Sequence, residues 1–484
     1  MPLYNKANMR KFKEPHKLLK SLFFNPYNLV ILSFLIVILI GSILLITPWA
    51  QTSGTWGNYV DALFSAVSAT CVTGLCSYLD GIGNHLTFFG QLIMLLMIQL
   101  GGLGFVTILT FFITLFKTKL EFKNRYLLMQ MVGSTSFGDV IKFVRKIVII
   151  SFTAETIGTL LGLPVFFEMF PGNPWLVVWN SIFTSVSAFN NAGFDLFGSA
   201  SLIRDAASNP LIAGLPTWAY YYLCSYIMVL IVAGGISFLV IIDVFSFKRF
   251  SQYRVFSKIA IVTTAFLILV GWGIFAVTES IFNGVSVFDA LFQSITLRTA
   301  GFATYNQDRI SLVGKVASCI LMFVGGSPLS TAGGVKTTTA FMIFLAMFCY
   351  FRGKQVVAFK RRYSANMIVK AMSLTFLGIF LIIFGIVCLA GFEFHNLTSR
   401  RLVELGLQTD KEMALIYETF SAFGTVGVST GITPYLSTGS KIVLCFLMFL
   451  GRLGPITFLQ IFQANMDKKE SLHYEYVEED FLIG

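Results

Sequence analysis

Charged residues are scarce in this chain of 484 residues. Asp, Glu, Lys and Arg together make up 12% of it, which is about half of the share in an ordinary soluble domain. So little charge, combined with 56% hydrophobic residues, excludes a soluble globular protein and a disordered chain. Only four histidines are present, and the sequence shows no nucleophile–base pair, metal-ligand cluster or Gly-rich phosphate loop. It therefore argues against an enzyme and against an organic cofactor, and it indicates a polytopic membrane protein.

Cysteine is also too sparse to define a structure. The seven cysteines are scattered, an odd number without metal-ligand spacing. The low charge and the high share of hydrophobic residues exclude a disulfide scaffold. Cys71 and Cys76 form a C-x4-C pair, which is weak evidence for any site. The net charge of +11 would suggest nucleic acid as the partner of a soluble protein. In a membrane protein the location of the charge decides, and we expect no nucleic acid partner.

Long apolar runs dominate the sequence. Eight of them are long enough to cross a bilayer, which takes about 20 apolar residues. They lie at approximately 28–47, 88–116, 146–170, 217–247, 257–282, 314–350, 367–394 and 441–463. Four shorter apolar stretches lie between them, at about 59–69, 175–189, 285–297 and 413–423. Stretches of that length suit re-entrant segments or buried helices.

The basic residues predict the orientation of these spans. With the N-terminus inside, the cytosolic segments hold 25 of the 35 Lys and Arg residues, and the outer segments hold eight. This bias is the one that the positive-inside rule requires. We therefore expect a cytoplasmic basic tail at 1–27, a cytoplasmic acidic tail at 467–484, and all four short stretches on the outer side.

The short stretches end in related strings that indicate a fourfold repeat. The strings are SATCVTGL (68–75), SAFNNAGF (187–194), ITLRTAGF (295–302) and SAFGTVGV (421–428). A second echo follows each string: GGLGF (101–105), GGISF (234–238), GGSP (325–328) and GRLGP (451–455). Two echoes in the same order indicate one unit used four times. Close packing of membrane helices through small residues would explain one or two strings, but not four at matched places.

The sequence thus predicts an all-α polytopic membrane protein built from four span–pore-helix–span repeats. Eight transmembrane helices and four re-entrant pore helices are expected around a central ion pore with pseudo-fourfold symmetry. The predicted repeats, called units 1 to 4 below, are residues 28–135, 136–250, 251–360 and 361–466.

This arrangement suits a cation pore. A re-entrant helix that enters from outside points its partially negative C-terminal end at the membrane centre. Extended residues after it can aim carbonyl groups at the axis and replace the hydration shell of an ion, and glycine permits backbone angles that a side chain blocks. The predicted filter residues are Val72, Thr73, Gly74, Asn191, Ala192, Gly193, Thr299, Ala300, Gly301, Thr425, Val426 and Gly427.

Four residues of different types precede the filter residues and are expected to support them: Cys71, Asn190, Arg298 and Gly424. This variety favours a site made of backbone rather than of side chains. Arg298 cannot face the axis without repelling a cation, so we expect it to point backward and bind neighbouring carbonyls. A solvated outer arginine is the alternative.

The sixth apolar run is interrupted at 325–339. Four glycines and a proline cannot sustain a straight helix, and small polar residues at mid-membrane depth need a cavity or protein around them. The segment is either a packing kink or a flexible gate under the filter. The candidate gate residues in it are Gly325, Gly326, Ser327, Pro328, Ser330, Thr331, Gly333, Gly334 and Lys336.

Arg452, Lys336 and Glu155 are charged residues that fall inside apolar runs. A charged side chain such as that of Arg452 costs free energy inside the membrane and should face a cavity or a partner. Arg452 is either a gate residue or a structural arginine bound to helix-end carbonyls. Lys336 either takes part in gating or extends to the cytosol. Glu155 is either a packing residue bound to Ser or Thr, which we favour, or a sodium contact.

An alternating-access secondary transporter with re-entrant hairpins is the main alternative from another class. Such folds usually contain two inverted repeats. The charge distribution here gives all four units the same orientation, which favours a pore.

These strings resemble the Trk/Ktr/HKT superfamily of potassium and sodium transporters over residues 28–463. The most specific pieces are CVTGL (71–75), SAFNNAGFDLF (187–197), LRTAGF (297–302), SAFGTVGVSTG (421–431) and GRLGP (451–455). All four units keep glycine, whereas many sodium-selective plant members have serine in the first, so the resemblance implies potassium selectivity. Trk-type members usually carry two extra N-terminal helices. This sequence shows no apolar runs for them before residue 28, so it is more similar to the Ktr-type membrane subunits.

The resemblance implies channel-like K+ uptake across the cell membrane, with K+ bound at the filter carbonyls. It also implies a homodimer with one pore per protomer, a cytosolic ring of nucleotide-binding (RCK-type) subunits and stimulation by Na+. It assigns 325–339 as a loop that blocks the pore, with Arg452 below the filter. Cys71 departs from the family, which more often has Thr there. A sodium-selective or sodium/potassium-cotransporting member of the same superfamily is therefore the alternative.

Overall fold

The computed structural model describes residues 26–104, 137–198, 200–206, 209–246, 249–281, 283–397, 399–404 and 406–454. The predicted basic tail up to residue 25, the segment 105–136 and the predicted acidic tail lie outside these ranges. Within them the chain is mostly helical and has several apolar helices, which confirms the predicted helical class.

The helices follow one another in the order that the predicted units suggest. Unit 1 contains α1 (Pro26–Leu45), α2 (Tyr59–Thr70), α3 (Gly81–His85) and α4 (Phe88–Leu103). Unit 2 contains α5 (Phe137–Met169), α6 (Pro174–Phe189), α7 (Pro210–Ala213), α8 (Thr217–Gly235) and α9 (Phe238–Ser246). Unit 3 contains α10 (Val255–Phe275), extended by a π-helical turn (Ala276–Ile281), α11 (Val287–Thr296), α12 (Leu312–Phe323) and α13 (Thr337–Phe351). Unit 4 contains α14 (Ala365–Phe392), α15 (Ser399–Glu404), α16 (Lys411–Gly424) and α17 (Thr438–Leu453).

Short elements complete the described chain. Single 3-10 turns lie at Phe250–Gln252, Gln307–Arg309 and Thr433–Tyr435. An antiparallel pair of two-residue strands, β1 (Val357–Ala358) and β2 (Arg361–Arg362), connects α13 to α14.

Short helices form at all four of the shorter apolar stretches, namely α2, α6, α11 and α16. Polar caps fix the start of three of them. The side chains of Asn58, Asn173 and Ser286 accept hydrogen bonds from backbone N–H groups in the first turn of α2, α6 and α11. Pro174 occupies the first position of α6, where its missing N–H is not needed.

In each unit, the long apolar helix after the short helix ends at or next to the second of the two repeated strings, the echo that begins at residue 101, 234, 325 or 451. Helices α4 and α17 end directly before Gly104 and Gly454, both with φ of +79°. Helix α8 ends at Gly235, and α9 begins three residues later. The apolar runs at 217–247 and 314–350 are therefore each divided between two helices, because the glycines inside them end the first helix.

Among the described residues, four helices are long and apolar enough to cross a membrane by length and composition: Lys142–Met169, Thr217–Gly235, Val255–Ile281 and Ala365–Phe392. Four shorter apolar helices are Val30–Leu45, Phe88–Leu103, Leu312–Phe323 and Thr337–Phe351. The eight spans expected from hydropathy stay a prediction, since the described helices stop earlier than the apolar runs do.

The surface and the interior have the character of a membrane protein. Helix α14 exposes a stripe of large apolar side chains that includes Phe376, Phe380 and Val387, whereas serine, threonine and carboxylate side chains are buried inside. Unit 4 packs back onto unit 1, where Lys441 of α17 forms a salt bridge of 2.7 Å with Asp61 of α2. The four units therefore close on themselves.

Close approaches at three echo glycines join each short helix to the helix after it. A Cβ atom at Gly101 would overlap the Thr70 carbonyl, one at Gly234 the Phe189 carbonyl, and one at Gly451 the Phe423 carbonyl. Each of these carbonyls lies at or next to the end of the short helix in the same unit. Any side chain at these glycines would thus push the short helix away.

We predict that Gly234→Ala destabilises the protein, because its methyl group would overlap the Phe189 carbonyl. The melting temperature in detergent should fall by about 5 °C or more. Gly273→Ala in α10 is the matched control, since nothing lies within 4 Å of a Cβ there. Equal melting temperatures for the two variants would contradict the close packing of α8 on α6.

Candidate ion-binding site

Four glycines, one from each unit, lie next to one another at the centre of the molecule. We call Gly74, Gly193, Gly301 and Gly427 the glycine ring. All four have positive φ angles, between +69° and +102°. A Cβ atom at Gly74 would lie 3.3 Å from the Cα atoms of both Gly193 and Gly427, and a Cβ atom at Gly193 would lie 2.6 Å from the Cα atom of Gly301. The four strings therefore converge on one point.

A backbone carbonyl occupies the place of the missing side chain at every position of the glycine ring. The Ala192 oxygen lies 2.6 Å from a Cβ atom built at Gly74, the Ala300 oxygen 2.5 Å from one at Gly193, and the Val426 oxygen 2.8 Å from one at Gly301. The Thr73 oxygen overlaps a Cβ atom built at Gly427. Each unit thus directs one carbonyl group at the glycine of its neighbour, and four carbonyl oxygens are brought together.

The residue two positions before each ring glycine adopts a left-handed backbone conformation. The φ angles of Val72, Asn191, Thr299 and Thr425 lie between +50° and +73°. Such angles are unusual for a β-branched residue and persist only where the surroundings enforce them. The same left-handed position therefore recurs in all four strings, although the side chains differ.

Hydrogen bonds hold the backbone N–H groups of the strings against their own short helices. The N–H groups of Thr73, Ala192 and Val426 donate to the carbonyls of Ser68, Ser187 and Ser421 at 2.8 to 2.9 Å. In unit 3, where Ile295 replaces the serine, the N–H group of Ala300 donates to the Thr296 carbonyl instead. The N–H groups of these residues thus face their own short helices, and their carbonyl groups point toward the glycine ring.

Two of these serines also bind through their hydroxyl groups. The Oγ atoms of Ser68 and Ser421 accept hydrogen bonds from the N–H groups of Gly74 (3.2 Å) and Gly427 (3.1 Å). The Oγ atom of Ser187 has no partner among the described residues. These serines were not among the predicted site residues, although their recurrence at the start of three strings was the available signal.

The four predicted support residues are buried next to the strings but do not share one role. Cys71 is fully buried in an apolar cluster, and a side chain at Gly424 would meet the Met322 carbonyl. Arg298 is 6% exposed, and its guanidinium donates to the Gly325 carbonyl at 2.9 Å. This geometry agrees with an arginine that binds a neighbouring carbonyl and does not agree with a solvated one.

Asn190 belongs to a buried network centred on Glu155. Its amide donates to Glu155 Oε1 and to Gln99 Oε1, both at 3.0 Å. Glu155 is 4% exposed and also accepts hydrogen bonds from the Gln99 amide and the Ser151 hydroxyl. The carboxylate thus accepts hydrogen bonds mostly from amides, and Asn190 connects it to the end of α6. Gln99 leaves no signal in the sequence, because its partners lie far away in the chain.

The segment between α12 and α13, residues 324–336, forms a compact loop that we call the unit 3 loop. Its two ends pair with each other, since the Gly325 N–H donates to the Val335 carbonyl at 2.9 Å and the Thr337 N–H to the Gly326 carbonyl at 3.1 Å. Within the described chain, Lys336 binds the Ala332 carbonyl at 2.6 Å. Its ammonium group therefore lies on the loop.

The unit 3 loop lies against unit 2 and against the fourth string. The N–H group and the hydroxyl of Thr331 bind the Gly234 carbonyl, and the Ser327 N–H binds the Gly235 carbonyl. On the other side, a side chain at Gly333 would overlap Thr425. The loop thus fills the space beside the inner end of the string that carries Gly427.

Arg452 joins three units. Its guanidinium donates to the Thr331 carbonyl of the unit 3 loop and to the carbonyls of Gly101 and Gly102 at the end of α4. Helix-end carbonyls carry partial negative charge, so they attract a cation. Arg452 is therefore bound to helix-end carbonyls, as the structural alternative expects, and the same side chain also contacts the unit 3 loop.

A cavity of about 810 Å³ opens onto the glycine ring. We call it the outer cavity, after the side that the basic residues predict for it. All four ring glycines line it. Four carboxylates that were not among the predicted site residues also line it, together with two arginines: Asp195, Asp205, Glu279, Asp289, Arg204 and Arg309. An excess of negative groups at the mouth of a narrow site raises the local cation concentration.

Comparison with known proteins identifies relatives along almost the whole chain. The family model described as "TrkH: Cation transport protein" matches residues 7–474. The potassium/sodium uptake protein NtpJ of Enterococcus hirae is 33% identical, over 95% of this chain and 97% of that protein. The Ktr system potassium uptake protein B of Bacillus subtilis is 31% identical, over 97% and 99%. These relatives are transport proteins and not enzymes, and they confirm the resemblance found in the strings.

A solved structure has the same fold. The crystal structure of the potassium transporter TrkH from Vibrio parahaemolyticus matches with a TM-score of 0.66 and covers 94% of this chain and 86% of that one. Only 16% of the residues are identical, so this likeness concerns the fold alone.

We predict that Ser421→Ala weakens the fourth string, because the Gly427 N–H loses its hydroxyl partner inside the protein. The free energy of unfolding should fall by about 1 kcal/mol, as measured by denaturant unfolding in detergent. Ser187→Ala is the matched control, because its hydroxyl binds no described group. A control variant that loses as much stability would contradict the assigned role of the hydroxyl.

Proposed function

This chain belongs to the TrkH family of cation transport proteins, and on that premise we propose that it is the ion-translocating subunit of a potassium uptake system. The observation that carries the proposal is the glycine ring, where four backbone carbonyls converge from four units. The names of two relatives, a potassium/sodium uptake protein and a Ktr system potassium uptake protein, support K+ as the transported ion.

In the proposed mechanism, K+ exchanges its hydration shell for backbone carbonyls. The oxygens of Thr73, Ala192, Ala300 and Val426 form one coordination ring, and those of the residues before and after them extend it. Carbonyl dipoles replace water as the ion enters. The ends of α2, α6, α11 and α16 add partial negative charge on the inner side. Because the serine hydrogen bonds fix the strings, the carbonyls need little rearrangement when the ion binds.

All four units keep glycine, which supports selectivity for K+. The departure at Cys71 should be silent, since its side chain is buried in an apolar cluster and only backbone faces the proposed path. A member that selects Na+, or cotransports Na+ with K+, is the alternative, and the name of the Enterococcus relative includes both ions. Convergence of four like-shaped strings on one centre favours a pore over an alternating-access transporter with two inverted repeats.

We propose that the unit 3 loop and Arg452 form the gate. The positive charge of Arg452 below the filter raises a barrier for cations. Its hydrogen bond to Thr331 holds the loop in the path. Opening then requires this bond and the bonds of Thr331 to Gly234 to break, so the loop moves away from the fourth string.

The kind of relative also supports a proposal on regulation and assembly. The Bacillus subtilis relative is named as protein B of a Ktr system, which supports a multi-subunit assembly. We propose a cytosolic ring of nucleotide-binding subunits of the RCK type beneath this chain. We further propose a homodimer with one pore per protomer in the cell membrane, cytoplasmic termini and stimulation of uptake by Na+.

We predict that Gly74→Ser lowers the preference for K+ over Na+ about tenfold or more, because its Cβ atom would lie 2.6 Å from the Ala192 carbonyl oxygen and displace it. The measurement is uptake of 86Rb+ and 22Na+ into liposomes that contain the purified protein. Gly54→Ser is the matched control, since Gly54 also has a positive φ (+67°) but nothing lies within 4 Å of its Cβ position. An unchanged preference in Gly74→Ser would count against a filter at the glycine ring.

Shortening the unit 3 loop within residues 326–335 should raise K+ flux several-fold. Removal of 328–332 takes away Thr331 and its bond to Arg452, so the proposed barrier disappears. Arg452→Gln, which keeps the loop but removes the charge, should raise the flux in the same assay. Monodisperse variants with unchanged or lower flux would contradict a gate at this position.

A further inference from the structure

The connection between α13 and α14 carries an exposed hairpin with an unusual tip. Val357 pairs with Arg362 and Ala358 with Arg361, so the turn has only two residues, Phe359 and Lys360. Both have positive φ angles, +49° and +63°. Two-residue hairpin turns normally place Asn and Gly at such positions. A phenylalanine and a lysine are strained there, and strain of this kind is kept at sites of function.

The hairpin and its flanks carry strong positive charge. Five basic residues lie between 352 and 362, all of them exposed: Arg352, Lys354, Lys360, Arg361 and Arg362. The sequence has no Asp or Glu from 352 to 370. None of the five forms a salt bridge with the described part of the chain. We call residues 352–363 the basic hairpin.

The length of α13 gives the depth of the basic hairpin in the membrane. The helix begins at Thr337, directly after the unit 3 loop, and has 15 residues, so it is about 22 Å long. Half of a bilayer's hydrocarbon core is about 15 Å. A helix that starts below the glycine ring therefore ends in the headgroup region, on the side that the basic residues assign to the cytosol. Tyr350 in its last turn is exposed, and tyrosine is enriched at this boundary.

We propose that the basic hairpin binds the anionic headgroups of phospholipids in the cytosolic leaflet. Guanidinium and ammonium groups form strong, charge-assisted hydrogen bonds with phosphate, and each basic side chain near an anionic leaflet adds to the attraction. Phe359 and Val357 are exposed beside these charges. An apolar tip among basic side chains fits a lipid boundary, where hydrocarbon and phosphate meet. It fits the acidic, water-exposed face of a soluble partner less well.

Headgroup binding at the basic hairpin would also act on the proposed gate. Helix α13 runs without a break from the unit 3 loop to the basic hairpin. A lipid that holds the hairpin end of α13 therefore restricts the movement of the unit 3 loop at its other end. This consequence rests on the proposed function, whereas lipid binding itself does not.

The test compares two triple variants of the full chain. Lys360→Gln/Arg361→Gln/Arg362→Gln removes three charges from the basic hairpin. Lys142→Gln/Arg145→Gln/Lys146→Gln removes three exposed charges from α5 on the same side and serves as the matched control. Each protein is placed in nanodiscs of phosphatidylcholine with about 30% phosphatidylglycerol. The phosphatidylglycerol that stays bound after transfer to detergent is counted by native mass spectrometry. The hairpin variant should lose at least half of the bound lipid, and the control should keep it.

A charge-preserving variant separates charge from folding. Lys360→Arg/Arg361→Lys/Arg362→Lys should bind phosphatidylglycerol as the wild type does. In liposomes, about 30% phosphatidylglycerol should change 86Rb+ uptake by wild type and control several-fold, but not uptake by the glutamine variant. Equal lipid binding by both glutamine variants would overturn the proposal. Lost binding of cytosolic subunits with unchanged lipid binding would also overturn it and would assign the hairpin to a protein partner. Differential lipid binding without any ion flux would refute the proposed function and leave this proposal standing.

Discussion

The closure of four backbone strings into one ring is the constraint on which the rest of the structure depends. At every ring glycine the carbonyl of a neighbouring unit occupies the space of a side chain, so no unit can move or gain a Cβ atom alone. The short helices must then end at the same depth, and the helices after them must approach closely through Gly101, Gly234 and Gly451. A chain that satisfies these contacts brings four carbonyl oxygens to one centre, which is the property that the proposed filter uses.

Symmetry of the backbone contrasts with diversity of the side chains around it. The position before each string's filter residues holds Cys71, Asn190, Arg298 or Gly424, and each is buried among different neighbours. This diversity lets unit 3 differ from the others, because Arg298 binds the Gly325 carbonyl at the start of the unit 3 loop. The loop occupies space on the inner side, and Arg452 of unit 4 connects it to unit 1. One departure from fourfold symmetry thus supplies the proposed gate without disturbing the ring.

Much of this arrangement could be predicted from the sequence, because its signals are local. The stretch at 59–69 became the helix Tyr59–Thr70, and the stretch at 175–189 became Pro174–Phe189, since apolar composition, caps and a following glycine all lie within a few residues. Contacts between distant residues left no such signal. The network of Gln99, Glu155 and Asn190 and the docking of the loop on Gly234 depend on tertiary packing. The division of the runs 217–247 and 314–350 between two helices each also depends on how the glycines inside them pack.

A structure determined with Tl+, which replaces K+ in oxygen sites and scatters strongly, tests directly whether the glycine ring binds the ion. If the glycine ring is the filter, a Tl+ peak lies on its axis, in direct contact with the carbonyl oxygens of Thr73, Ala192, Ala300 and Val426. Tl+ bound only to the carboxylates of the outer cavity, with none at the glycine ring, would contradict a filter there.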